Sequence, residues 1–150
     1  MAELKHAKYI VTGEKLKHDM KLPQYRIGAL RAQQRRPEQS TRVMWLDDTV
    51  IPGAFYTECV WFLPGMASDK PTVETHSHSF PEIITFFGTN YDDLHDLGGE
   101  IELWLEDEPI VMNRSFLAFV PAGMNHCPLI IRRVDRPIFH FTVGTGKEYG

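Results

Sequence analysis

The 150-residue chain has no apolar run near the roughly 20 residues that span a bilayer. Its first residues, MAELKHAKYI, lack the apolar core of a secretory signal. A cytoplasmic protein without membrane association is therefore expected. Cysteine is scarce, with only Cys59 and Cys127. In a reducing compartment these two are expected to stay thiols, which excludes a disulfide scaffold. No internal repeat and no low-complexity tract occurs. The ten prolines and eleven glycines are dispersed and read as turns rather than disorder. What remains is ordinary globular material: 43% hydrophobic and 24% charged residues, long enough for one domain with a core.

The net charge of −4 conceals an asymmetry. Residues 1–42 carry ten Lys/Arg and four Asp/Glu (+6), and residues 43–150 carry six and sixteen (−10). The basic residues are scattered rather than interleaved with aromatics, so a basic arm lying on an acidic body is expected, not a nucleic-acid surface.

From residue 41 the chain alternates short runs rich in β-branched and aromatic residues with turn signals. The runs are TRVMWL, GAFYTECVWFL, TVETHSH, EIITFF, EIELWL, PIVM, SFLAFV, CPLIIRRV and PIFHFTV. That rhythm predicts an all-β sandwich or barrel. Residues 1–40 do not follow it and are assigned to an N-terminal arm of the same domain, with a turn or two of helix within 14–35. Residues 41–150 form the barrel. The longest interruption, GTNYDDLHDLGG (88–99), is acidic and is either a lid over a site or a solvated loop.

One polar cluster stands just before a strongly apolar run: ETHSHSFPE, residues 74–82. On a strand His76 and His78 point to the same side. A bend at Ser79-Phe80-Pro81 would return the Glu82 carboxylate beside them. Two imidazoles and a carboxylate suit iron, manganese, nickel, cobalt or zinc. A further histidine, His126, follows the Pro-Gly turn of VPAGMNHCP and is placed to point inward.

These stretches resemble the two motifs of the cupins. HSHSFPEIITFFG (76–88) resembles the first, G-x5-HxH-x3,4-E-x6-G, and PAGMNH (121–126) the second, G-x5-PxG-x2-H-x3-N. The chain departs from the motifs at spacing glycines and at one asparagine. Ten residues separate Gly65 from His76, five separate Glu82 from Gly88, and Ser115 and Ile130 stand where the second motif has glycine and asparagine. The resemblance implies a double-stranded β-helix, or jelly-roll, barrel. It also implies one divalent transition metal ion on His76, His78, Glu82 and His126. Such barrels often cover their edges by exchanging an arm, so a homodimer is expected.

Two more polar residues interrupt apolar runs. Glu58 shares a strand face with Tyr56, Val60 and Phe62, and is either a general base or substrate anchor, or the ion partner of an arginine from the arm. His140 shares a face with Ile138 and Thr142, and is either a proton shuttle or a core histidine. Tyr56, Trp61, Phe62 and Trp104 read as core or pocket walls. Cys127 is expected to point away from His126 and to pack. Arg26, Arg42 and Arg132 could hold a substrate carboxylate. The expected function is a metal-dependent enzyme acting on a small oxygenated molecule (enediol, hydroxy-ketone or carboxylate), as dioxygenase, isomerase, lyase or hydrolase. The alternative is a non-catalytic module that binds a small ligand in the same barrel.

Overall fold

The computed structural model describes residues 4–13, 16 and 41–146. Arg26 and, apart from residue 16, all of 14–35, where helical turns were expected, lie outside these residues. Within the described start, Ala7–Tyr9 forms one 3-10 turn. Among the described residues no helix is long and apolar enough to cross a membrane.

Eight strands follow: β1 (Thr41–Leu46), β2 (Tyr56–Phe62), β3 (Glu82–Phe87), β4 (Asp96–Leu105), β5 (Glu108–Arg114), β6 (Phe116–Val120), β7 (His126–Val134) and β8 (Ile138–Gly144). They pair antiparallel throughout and form two sheets, ordered β1-β2-β8-β3-β6 and β5-β4-β7. The two inner faces enclose one core, the double-sheet jelly-roll arrangement. β2 alternates buried and half-buried positions along its whole length. Val60, Phe62, Ile84 and Phe86 from the larger sheet meet Leu97, Ile101, Leu103 and Ile131 from the smaller. A side chain sealed off as fully as Phe86, at 0% exposure, contributes about 1.5–3 kcal/mol.

The strand expected at 72–78 is absent as a continuous element. Only two isolated bridges join this segment to β7, at Val73–Leu129 and His76–His126. In that register Glu74 lies opposite Pro128, which has no N–H to donate, so the ladder breaks between the bridges. The 88–99 interruption is shorter than expected, because β4 begins at Asp96 and absorbs Gly98 and Gly99. A Cβ on Gly99 would overlap the Arg133 carbonyl, so only glycine lets β7 approach here.

Candidate metal centre

The segment 72–78 runs along the open edge of β7, and from Thr75 to Phe80 the side chains keep a two-residue period without a full ladder. His76 and His78 are buried, whereas Thr75, Ser77 and Ser79 are exposed. Glu82 opens β3 directly after Pro81, and its Cα partners are Val120 and Gly144. His126 opens β7, and the Pro121–Met124 turn before it is tied to the first segment by the Gly123 N–H, which donates to the His78 carbonyl at 2.9 Å.

Each histidine is oriented the same way. His76 Nδ1 lies 2.7 Å from the Glu74 carbonyl, His78 Nδ1 2.7 Å from that of Phe80, and His126 Nδ1 3.0 Å from that of Met124. A carbonyl only accepts, so Nδ1 carries the hydrogen in all three rings and each Nε2 presents a lone pair. The Glu74 carbonyl is available because Pro128 cannot use it. Phe80 also stacks on His78, with centroids 4.2 Å apart and planes 8° apart. Gly144 and Gly146 make room for that ring, since a Cβ on either would overlap it.

The donor atoms of His76, His78, Glu82 and His126 all lie within 4.8 Å of one another. Glu82 Oε2 is 2.6 Å from His78 Nε2 and 3.2 Å from His126 Nε2, and the buried His126 Nε2 makes no hydrogen bond. Lone pairs of neutral imidazoles facing a carboxylate oxygen repel unless a cation lies among them. Three nitrogens and one oxygen, each histidine fixed by a carbonyl on its far side, suit a divalent transition metal. Burial lowers the His76 pKa to about 4, beyond what the Glu74 carbonyl and Glu82 restore. Burial alone would raise Glu82, but His126 and His78 beside it, which can donate to its carboxylate once Nε2 is protonated, overrule that and hold the carboxyl at about 2. At neutral pH the ring and the carboxylate are therefore in the forms a metal requires.

A cavity of about 50 Å3 opens beside this cluster, bordered by His76, Glu82 and His126. Glu58 and His140 both face it and are buried, as strand parity requires. Glu58 sits in a chain in which Thr142 Oγ1 donates to Tyr56 Oη (2.9 Å), which donates to Glu58 Oε2 (2.6 Å). Its other oxygen, Oε1, lies 3.6 Å from Arg42, so an arginine partner is present as well, at the start of β1. His140 Nδ1 donates to the Thr85 carbonyl at 2.8 Å, and its ring stacks on Phe86 at 4.2 Å. The remaining walls are mostly apolar, among them Val60, Phe62, Ile84 and Leu129.

Several expectations need correction. Cys127 does not point away from His126, because both line the cavity. Three residue steps from His126 to Leu129 oppose two from Leu105 to Leu103, and Cys127 has φ of +69°. A bulge of this kind turns consecutive side chains to one side. Trp61 and Trp104 do not line the cavity: Trp61 packs on Phe139 outside the barrel, and the Trp104 indole N–H donates to Glu102. Arg132 pairs with Glu102 and Asp69 on the far sheet. The 88–95 loop leaves β3 at the end opposite Glu82, and none of its residues lines the cavity. The roles of Tyr56 and Thr142 in holding Glu58 were missed. Shared parity with Glu58 and His140 was the available signal, but the Tyr56–Thr142 contact depends on β2–β8 pairing.

No protein-family model matches the sequence, and no curated protein matches it. Solved structures do. An oxalate oxidase in complex with the substrate analogue glycolate matches at TM-score 0.50 and 15% identity, over 76% of this chain and 54% of that one. A recombinant oxalate oxidase in complex with glycolate matches at 0.49 and 15%, over the same shares. An RmlC-like cupin from Shewanella frigidimarina NCIMB 400 gives 0.44 and 15%, over 74% and 80%. The chain spans about half the length of the oxalate oxidases it matches. At this identity the likeness concerns the fold: the chain has the cupin jelly-roll fold.

Proposed function

We propose that the protein is a metal-dependent enzyme that transforms a small oxygenated molecule in the cavity beside His76, His78, Glu82 and His126. The carrying observation is the common orientation of the three imidazoles, each with Nδ1–H on a backbone carbonyl and Nε2 toward Glu82 Oε2. In this reading the four residues hold one divalent transition metal ion, which supplies Lewis acidity and an anchor for substrate oxygens.

The chain's own groups supply the rest. His140 gives Nδ1–H to Thr85, which leaves Nε2 as the basic nitrogen able to take a proton from substrate. Glu58 Oε2, held by Tyr56, is the second candidate to move a proton or to anchor a substrate hydroxyl. Val60, Phe62, Ile84 and Leu129 keep water away from the reacting atoms. The cavity admits roughly four water-sized groups at about 12 Å3 each. No Lys or Arg is among its described lining residues, so a substrate carboxylate would have to be balanced at the metal. The substrate class is therefore a compact hydroxy-acid, hydroxy-ketone or enediol with one anionic group at most. Glycolate, the ligand of the oxalate oxidase neighbour, is a compact hydroxy-acid with one anionic group.

Two buried titratable groups in the metal-site cavity favour an enzyme over a passive binding module, because burying them is costly without a role. The test is turnover of small hydroxy-acids and hydroxy-ketones by metal-loaded protein. Activity lost in both His78→Ala and Glu82→Ala supports the proposal. Tight ligand binding with no turnover in any metal form supports the binding module instead.

A further inference from the structure

The described residues that line the metal-site cavity are all buried except Thr72 and Val73, which are half-buried. Every other wall residue but His76 stands on β2, β3, β7 or β8, inside a paired sheet. Thr72 and Val73 belong instead to the connection between β2 and β3. The start of that connection is closed by a turn. The Met66 N–H donates to the Leu63 carbonyl at 3.0 Å across Pro64 and Gly65, and Gly65 has φ of +90°, as the third residue of a type II turn requires. Its far end is pinned where His76 and His126 exchange two backbone hydrogen bonds, at 3.0 and 2.9 Å.

Between these fixed points runs a strap, residues 67–75, none of which is buried. Among the described residues three backbone hydrogen bonds join it to β7. The Ser68 N–H donates to the Ile131 carbonyl (2.9 Å), the Thr72 N–H to the Leu129 carbonyl (2.7 Å), and the Leu129 N–H to the Val73 carbonyl (2.9 Å). Thr75 Oγ1 donates to the Cys127 carbonyl at 3.1 Å, and the exposed Asp69–Arg132 pair adds little. Exposed backbone bonds with few buried contacts mark the parts of a fold that open most readily. Releasing this strap disturbs far less than parting β2 from β8, which pair over seven residues.

We propose that residues 67–75 are the gate of the cavity. The strap lifts off the edge of β7 to admit substrate, and Val73 at its inner lip sets the size of what passes. This rests on the substrate site proposed above. Val73 packs against the core and lies opposite Leu129, another wall residue, so its side chain closes the gap between strap and barrel. The metal ligands keep their places while the strap moves, because His76 lies beyond it at the pinned end.

Cys127 provides a reporter that needs no turnover, because it is buried and lines the cavity. In the full chain carrying Cys59→Ser, which removes the other thiol, the rate of Cys127 labelling by iodoacetamide follows the opening. Val73→Gly widens the lip, and Ser68→Pro removes the N–H that bonds Ile131. Each is expected to speed labelling about tenfold, whereas Val73→Trp is expected to slow it about tenfold. Circular dichroism checks that each variant folds. The gate is overturned if the folded variants all label at the rate of the parent, since molecules then reach the cavity by another path. It is also overturned if Cys127 in the parent reacts only as fast as the whole chain unfolds. A protein that shows the three expected shifts but turns over nothing keeps the gate and loses the enzyme.

Discussion

Within the five-stranded sheet the inner face buries Tyr56, Glu58, Glu82, His140 and Thr142, while the outer face of the same strands carries Trp61, Phe87, Phe139 and Phe141. A half-solvated antiparallel sheet ordinarily alternates the other way, apolar inward and polar outward. The inner polar groups are each satisfied or aimed at one point. Thr142, Tyr56 and Glu58 form a chain, His140 holds Thr85, and Glu82 meets two imidazoles. Polar groups buried in this ordered way account for a chemical site, and the uncharged outer face takes no part in it. If that division is right, substitutions on one face leave the property of the other untouched.

The largest expected effect is on the inner face. His126→Ala or Glu82→Gln should lower bound metal from about one ion per chain to below about a tenth, because a ligand is gone and a buried partner is left unmatched. Conversely, Phe119→Glu, on the exposed outer face, should leave metal content unaltered. Next is Glu58→Gln, which should slow turnover about 10²–10⁴-fold with metal retained, the usual contribution of a positioned acid or base. Unchanged turnover would leave Glu58 as no more than the ion partner of Arg42.

A smaller effect is expected at Gly144. Alanine there would drive its Cβ into the Phe80 ring and, through it, against His78. Overpacking of this kind costs about 1–3 kcal/mol, measurable by denaturant unfolding. The last effect is the pH dependence of the metal-free protein. The His76 pKa is lowered to about 4, whereas an unfolded histidine titrates at about 6.5. Stability should therefore be full above about pH 6.5 and should fall on acidification toward pH 4, as the unfolded chain takes up the proton first. In His76→Gln that part of the slope should vanish. Glu82, held at about 2, should add a further loss only below about pH 4.5.

Much of the fold was legible because local pattern and tertiary demand agreed. TRVMWL and EIITFF are strands over the same residues that the sequence indicates, and strand parity groups Glu58 with Tyr56, Val60 and Phe62 and His140 with Ile138 and Thr142, without saying which face is turned inward. The four donor residues could be named from two short motifs, since spacing and turn chemistry there are local. What was not legible depended on pairing between distant segments. The break at 72–78 arises from Pro128, fifty-odd residues away, and that same break frees the Glu74 carbonyl for His76. The inward turn of Cys127 comes from a bulge against β4, and Gly98 and Gly99, which read as a turn, are strand because β7 passes close by. The grouping of strands into two outer faces was not legible either, because only the topology decides which strands share a sheet.

The most direct test of the central claim is elemental analysis of the full chain purified without added metal, beside Glu82→Gln and His126→Ala prepared identically. About one equivalent of a single transition metal in the unaltered chain, absent from both variants, is the predicted result. Equal metal content in all three would contradict the four-residue centre. So would an unaltered chain that takes up none of iron, manganese, nickel, cobalt or zinc when each is offered in its divalent form.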